Sequence, residues 1–130
     1  MINTDEYVPF ETAELLKKHG FPQDYYCYPV YYMNGDKPKL AFEGDDDFPY
    51  SQNECVAPTI ATALKWLRET HGLYADVFII DYAPEPWVAN IHKYNNELEM
   101  VSIYRNSGDF FATFEGAAHH IIRVCLEKFL

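Results

Sequence analysis

Five histidines, three cysteines and twenty carboxylates are the residues of this 130-residue chain whose types suit catalysis or metal binding. Their spacing decides how far each group goes. His119 and His120 are neighbours in a stretch of helical periodicity. That sets them roughly 100° apart around the axis, so they cannot share one ion as an i, i+4 pair does, and one of them should face solvent. No spacing ties them to His92, Cys27, Cys55 or Cys125, and no Cys–His nucleophile motif is written in the chain. Asp45, Asp46 and Asp47 have the charge for calcium. An EF-hand loop starting at Asp45, however, requires glycine where Tyr50 stands and glutamate where Val56 stands, so the run reads as a solvated acidic loop. No catalytic residue, metal or cofactor is expected.

The informative residues are aromatic: 11 Tyr, 9 Phe and 2 Trp. They concentrate in Tyr25-Tyr26-Cys27-Tyr28-Pro29-Val30-Tyr31-Tyr32-Met33. Strand alternation puts Tyr26, Tyr28, Val30 and Tyr32 on one face and Tyr25, Cys27, Pro29, Tyr31 and Met33 on the other, so a small sheet built here is apolar on both sides. One face buries against helices. The other meets either Phe48, Tyr50 and the first helix or a partner protein, and Tyr and Trp dominate interfaces because each offers rigid area with a polar tip. Tyr25, Tyr28, Tyr31 and Tyr32, with Trp87, are the candidate protein interface.

The elements that position these residues are punctuated by Pro and Gly. Pro9 opens a helix whose acids Glu11 and Glu14 lie early, whose Lys17, Lys18 and His19 lie late, and whose stop is Gly20. A hairpin follows, Tyr25 to Met33, Asn34-Gly35-Asp36, then Leu40 to Glu43. Pro29 places its first strand at a sheet edge or on a bulge. Residues 44–54 read as an exposed acidic loop. A second helix is expected from Pro58 to His71, closed by Gly72, with Ile60, Ala63, Leu64 and Leu67 on its buried face and Trp66 adjoining. Three strands are expected at Tyr74 to Tyr82, Trp87 to Tyr94 and Leu98 to Tyr104, the first read as the most buried because both its faces carry apolar residues. The turn Asn106-Ser107-Gly108-Asp109 leads to a final helix capped by Thr113, with Ala117, Ala118, Ile121, Ile122, Cys125 and Phe129 at intervals of three to four. The class is α+β, in the order αββαβββα, with an αβββα unit at residues 57–130 beside an N-terminal helix, hairpin and acidic loop at 1–56, all within one domain. That αβββα order is shared with double-stranded RNA-binding domains, but the basic residues such domains set against RNA are missing.

Composition narrows the function class. Ten Lys plus Arg against twenty Asp plus Glu give a net charge of −10. With no basic cluster to release counterions from phosphates, direct nucleic-acid binding is not expected. The apolar segments around Tyr74 to Tyr82 and Ala117 to Leu130 are interrupted by charge well short of the ~20 residues a membrane span requires. The N-terminus has no basic-then-apolar leader and reads as the start of the mature chain. Three widely spaced cysteines fit a reducing cytoplasm, and 130 residues suffice for a core without disulfides or metal.

Tyr7 to Phe21, Ala57 to Glu69 and the closing segment from Thr113 through Ala118 resemble a group of small uncharacterised proteins of Bacteroides-type gut bacteria and their phages or mobile elements. In that group the last segment usually reads threonine, tyrosine, two acids and alanine, and Gly116 departs from it at the second acid. The resemblance spans about half the chain and implies a bacterial cytoplasm with phage ancestry; it brings no activity or functional residue. Together these readings favour a non-enzymatic protein-binding or accessory factor whose partner is another protein or a second copy of itself. An acidic inhibitor that imitates nucleic acid in a DNA-binding enzyme's cleft is the alternative, followed by a small enzyme without a recognisable motif.

Overall fold

The computed structural model describes residues 4–46, 48–49, 53–80, 84–105 and 110–130. Expectations that rest on Asp47, Tyr50, Asp81, Tyr82 or the turn Asn106 to Asp109 lie outside the described residues. Three helices and two antiparallel three-stranded sheets make up an α+β chain in two compact units, Met1–Thr59 and Ile60–Leu130. The order is αββαβββα as expected, with one two-residue strand added.

In the first unit, α1 (Phe10–Lys18) begins after Pro9, which is extended and has no intrahelical donor to lose. It ends where Gly20 takes φ +95°, a conformation glycine adopts without penalty. Gly20 N–H then bonds Lys17 C=O at 3.1 Å and Phe21 N–H bonds Leu16 C=O at 2.9 Å, closing the helix and burying Phe21 with Leu16. The sheet runs β2 (Lys37–Ala41), β1 (Val30–Asn34), β3 (Cys55–Val56), with Asn34 opposite Lys37, so Gly35 at φ +72° and Asp36 form the two-residue turn. Val8, Ala13, Leu16, Val30, Val56 and Ala57 are fully or almost fully buried.

Two expectations for this unit are corrected. The first strand starts at Val30, not Tyr25, because Asp24 organises residues 25–28 into a turn: its carboxylate accepts Tyr26 N–H at 3.0 Å and its carbonyl accepts the N–H of Cys27 and Tyr28. Pro29 therefore stands before the strand, and β1 is the central strand and not an edge. β3, the added strand, pairs with Val30 and Tyr31 and was hidden by its length.

In the second unit, α2 (Ile60–His71) starts two residues later than expected. Pro58 C=O accepts Val8 N–H at 3.0 Å and Thr59 bridges Tyr7, which keeps both residues extended. Gly72 at φ +65° ends it, and Leu73 N–H reaches back to Leu67 C=O. A meander of β4 (Tyr74–Ile79), β5 (Trp87–Tyr94) and β6 (Met100–Arg105) follows, and then α3 (Phe114–Lys128), whose first turn is capped by Thr113 Oγ1 accepting Gly116 N–H at 3.0 Å. α3 lies on β4 and β5, and α2 on α3 and β4, giving the expected αβββα order.

β5, not β4, is the most buried strand. Val88, Ala89 and Ile91 are closed off, whereas Asp76, Phe78 and Ile79 of β4 are exposed. Apolar residues on both faces of β4 suggested burial, but β4 is an edge strand that pairs with β5 on one side only.

Candidate functional site

The five aromatic candidates divide between the units. Tyr31 is half-buried: its hydroxyl donates to Val8 C=O at 2.7 Å, its ring meets Phe10 edge-on at 5.5 Å, and burial pushes its pKa up to about 12. Tyr28 packs on Phe21 at 5.4 Å, and Tyr25 stacks on Tyr26 at 4.6 Å with Phe48 at 6.5 Å. Tyr32 is half-buried on β1 opposite Lys39. All five candidates are half-buried, and the exposed ring beside them is Tyr26, at 67%. Trp87 belongs to the second unit, where its backbone exchanges hydrogen bonds with Phe111 and its ring meets Phe114 at 5.6 Å.

Among the described residues, nine of the eleven exposed large apolar ones lie in the second unit, which locates the surface with most to offer a partner. One face of its sheet turns to the helices, as the Tyr104 contacts with Phe129 and Lys128 and the Trp87 contact with Phe114 show. By register the opposite face carries Tyr74 beside His92, Asp76 beside Asn90, His92 beside Ser102 and Tyr94 beside Met100. An open groove of about 400 Å³ takes in part of this face, lined by Tyr74, Asp76, His92 and Met100 together with Ala75 of β4 and Arg68 of α2. Tyr94 extends the rim, edge-on to Tyr74 at 5.7 Å. The side chains of Arg68, Asp76 and His92 make no hydrogen bond or ion pair among the described residues, which leaves a cation, an anion and an imidazole ready for a ligand's polar groups.

The β5–β6 turn stands at the end of this face. Asn95 N–H bonds Glu99 C=O at 2.8 Å, and the Asn95 side-chain oxygen accepts the N–H of both Glu97 and Glu99 at 2.9 Å. The three-residue loop so fixed forces its last residue into the left-handed region, where glycine is preferred. Leu98 occupies it, at φ +62° and 82% exposed. Sequence reasoning placed Leu98 at the start of the last strand; that strand begins at Met100. The signal was the missing glycine after Asn95-Asn96, since the turn's φ requirement is then met at a cost.

The groups with chemical potential elsewhere are dispersed. Cys55 and Cys125 are buried thiols whose pKa burial pushes up to about 12. Cys27 is exposed, but its Sγ donates to Asp24 Oδ2 at 3.1 Å, a bond that raises the thiol's pKa and lowers the carboxyl's. The expectation that His119 or His120 faces solvent is not met: both are half-buried, with His120 stacked 5.1 Å from Phe111. No three His, Cys, Asp or Glu side chains among the described residues come together as a metal would require, and no described helix is long and apolar enough to cross a membrane.

No protein-family model and no solved structure matches this chain. It is similar to the 1,4-alpha-glucan branching enzyme of Deinococcus radiodurans, with 32% identity over 85 residues. The alignment takes in 61% of this chain and 11% of the length of that curated relative.

Proposed function

We propose that the chain is a non-enzymatic protein-binding or accessory factor whose recognition surface is the open face and β5–β6 tip of its second unit. The observation that carries this is Leu98. A left-handed backbone costs a non-glycine residue about 1 kcal/mol or more, and exposing a leucine forgoes roughly 2 kcal/mol of burial. Both costs fall on one residue, at a position where glycine or asparagine would remove them. Strain kept at an exposed tip is accounted for by a partner that buries the side chain. Tyr94 and Met100, 49% and 43% exposed just behind the tip, continue the apolar surface, and the Arg68, Asp76 and His92 groove supplies its polar complement. The interface expected on the tyrosine hairpin thus shifts to the second unit in this reading, because Tyr28 and Tyr31 are half-buried and already make contacts within the first unit, with Phe21 and with Val8 C=O. The branching enzyme's activity does not enter it, since the shared segment is so small a part of that protein.

The test is capture of proteins from nuclease-treated lysate of cells that make this chain, with wild type and Leu98→Gly compared at low and high salt. A partner held through high salt by wild type and lost by Leu98→Gly supports the reading. Equal capture by both removes it.

The nucleic-acid mimic remains a second reading because the charge is segregated. Residues 1–59 hold eleven acids against four basic residues, a net −7, and all ten acids among the described residues are exposed. Such a complex would dissolve as salt rises, since exposed charges are screened beyond ~10 Å at about 0.1 M. High salt in the same capture experiment therefore separates the two readings.

A further inference from the structure

Two three-stranded sheets present four edges, and three of them carry a device that discourages pairing. β2 is written Lys37-Pro38-Lys39-Leu40-Ala41, with two lysines and a residue lacking an N–H. β3 has only two residues, and the Val56 N–H on it is taken by Gln23 Oε1 at 3.0 Å. β6 is interrupted by a register shift at Ile91/His92, where Ile103 is the extra residue, and it ends in Arg105. β4 is the least defended, with the single charge of Asp76. Tyr74-Ala75-Asp76-Val77-Phe78-Ile79 is six residues long and free of Pro, Gly, Lys and Arg, and its ladder with β5 has no bulge.

The hydrogen-bond pattern fixes which groups this edge offers. Ile80 N–H bonds Pro86 C=O at 2.7 Å, and Trp87 exchanges its bonds with Phe111 on the other side. By antiparallel alternation Phe78, Asp76 and Tyr74 bond β5, while Ala75, Val77 and Ile79 turn their N–H and C=O groups outward. No other strand of the described residues takes them up. Beside them Phe78 is 36% and Ile79 61% exposed.

We infer that β4 pairs antiparallel with β4 of a second copy, so that two αβββα units share a continuous six-stranded sheet across a two-fold axis. A second copy is the occupant that the edge itself describes. Antiparallel pairing about a two-fold matches the outward groups of Ala75, Val77 and Ile79 with the same groups of the partner, as an isologous interface demands. An axis at Val77 does this for all three, pairing Val77 with itself and Ala75 with Ile79 of the copy, and it sets Asp76 opposite Phe78 of the copy and not opposite its own like charge. The second unit also holds only −3 of the −10 net charge, six basic residues against nine acids, so repulsion between copies is weakest where they would meet.

The experiment is light scattering after size exclusion, backed by sedimentation, on the full chain from roughly 5 to 500 µM, because assembly follows mass action. Wild type is expected to pass from monomer to dimer across this range. Ile79→Lys, which sets a charge at the exposed end of the strand, and Val77→Pro, which removes an outward N–H without touching the β5 ladder, are expected to stay monomeric with unchanged circular dichroism. Should Val77→Pro fail to fold, Ile79→Lys decides. A wild type that remains monomeric throughout overturns the inference, as does a folded Ile79→Lys that dimerises like wild type. Leu98→Gly is expected to dimerise normally, so this inference and the partner-binding reading fail separately.

Discussion

Residues in this chain carry cost where it is visible and protection where it is not. Leu98, strained and exposed at a hairpin tip, is the clearest case of cost. Leu98→Gly should raise unfolding stability by about 1 kcal/mol, read as a higher urea midpoint at constant slope, because glycine enters the left-handed region freely. Cys27 shows protection. Although exposed, its thiol is held neutral by the hydrogen bond to Asp24, so the native protein should react slowly with a thiol reagent at one cysteine, and Asp24→Asn should accelerate that reaction. Cys55 and Cys125 should react only on unfolding. Tyr31, Cys55 and Cys125 also set an alkaline limit. Burial raises each from its ordinary value of 10.0, 9.0 and 9.0 to about 12. Because the folded pKa exceeds the unfolded one, the folded state favours the neutral form. The resulting stability is complete below about pH 9 and lost as pH rises towards 12. Urea midpoints measured across that interval should fall steadily, and a flat profile would contradict the burial of these groups.

At the scale of elements, boundaries set by glycine, proline and caps were legible, and positions within a sheet were not. Gly20, Gly72 and Thr113 end or start helices as their types demand. The Thr113 cap predicts that Thr113→Ala costs about 1 kcal/mol in chemical denaturation, since Gly116 N–H loses its acceptor. Glycine at position 116 suits this cap, because a Cβ there would stand 3.2 Å from Thr113 Oγ1. By contrast, β1 read as an edge or bulged strand and β4 as the most buried one, whereas β1 is central in its sheet and β4 lies at an edge. Alternation reports which face of a strand is apolar, but strand order depends on partners far along the chain. Here the deciding partner of β1 is Cys55-Val56, too short to leave a pattern. The site was less legible still. Tyrosine density pointed to the hairpin, where Tyr28 and Tyr31 are half-buried with contacts to Phe21 and Phe10, whereas the cost at Leu98 emerges only once the Asn95 turn fixes its φ angle.

The molecule as a whole divides its properties between two units. One concentrates charge and holds most of its described aromatics half-buried or buried; the other carries less net charge and shows, among the described residues, most of the exposed apolar surface, a sheet edge with a single charge and an open groove. A partner held by the second unit's apolar surface should therefore stay bound as salt rises, and one held by the first unit's charge should be released. The central claim, that stability at the hairpin tip is given up for recognition, is tested most directly by measuring Leu98→Gly twice, once for unfolding stability and once for partner capture at high salt. A variant more stable than wild type that no longer retains the partner is the predicted result. A variant that retains it as wild type does would contradict the account, and so would one that is less stable.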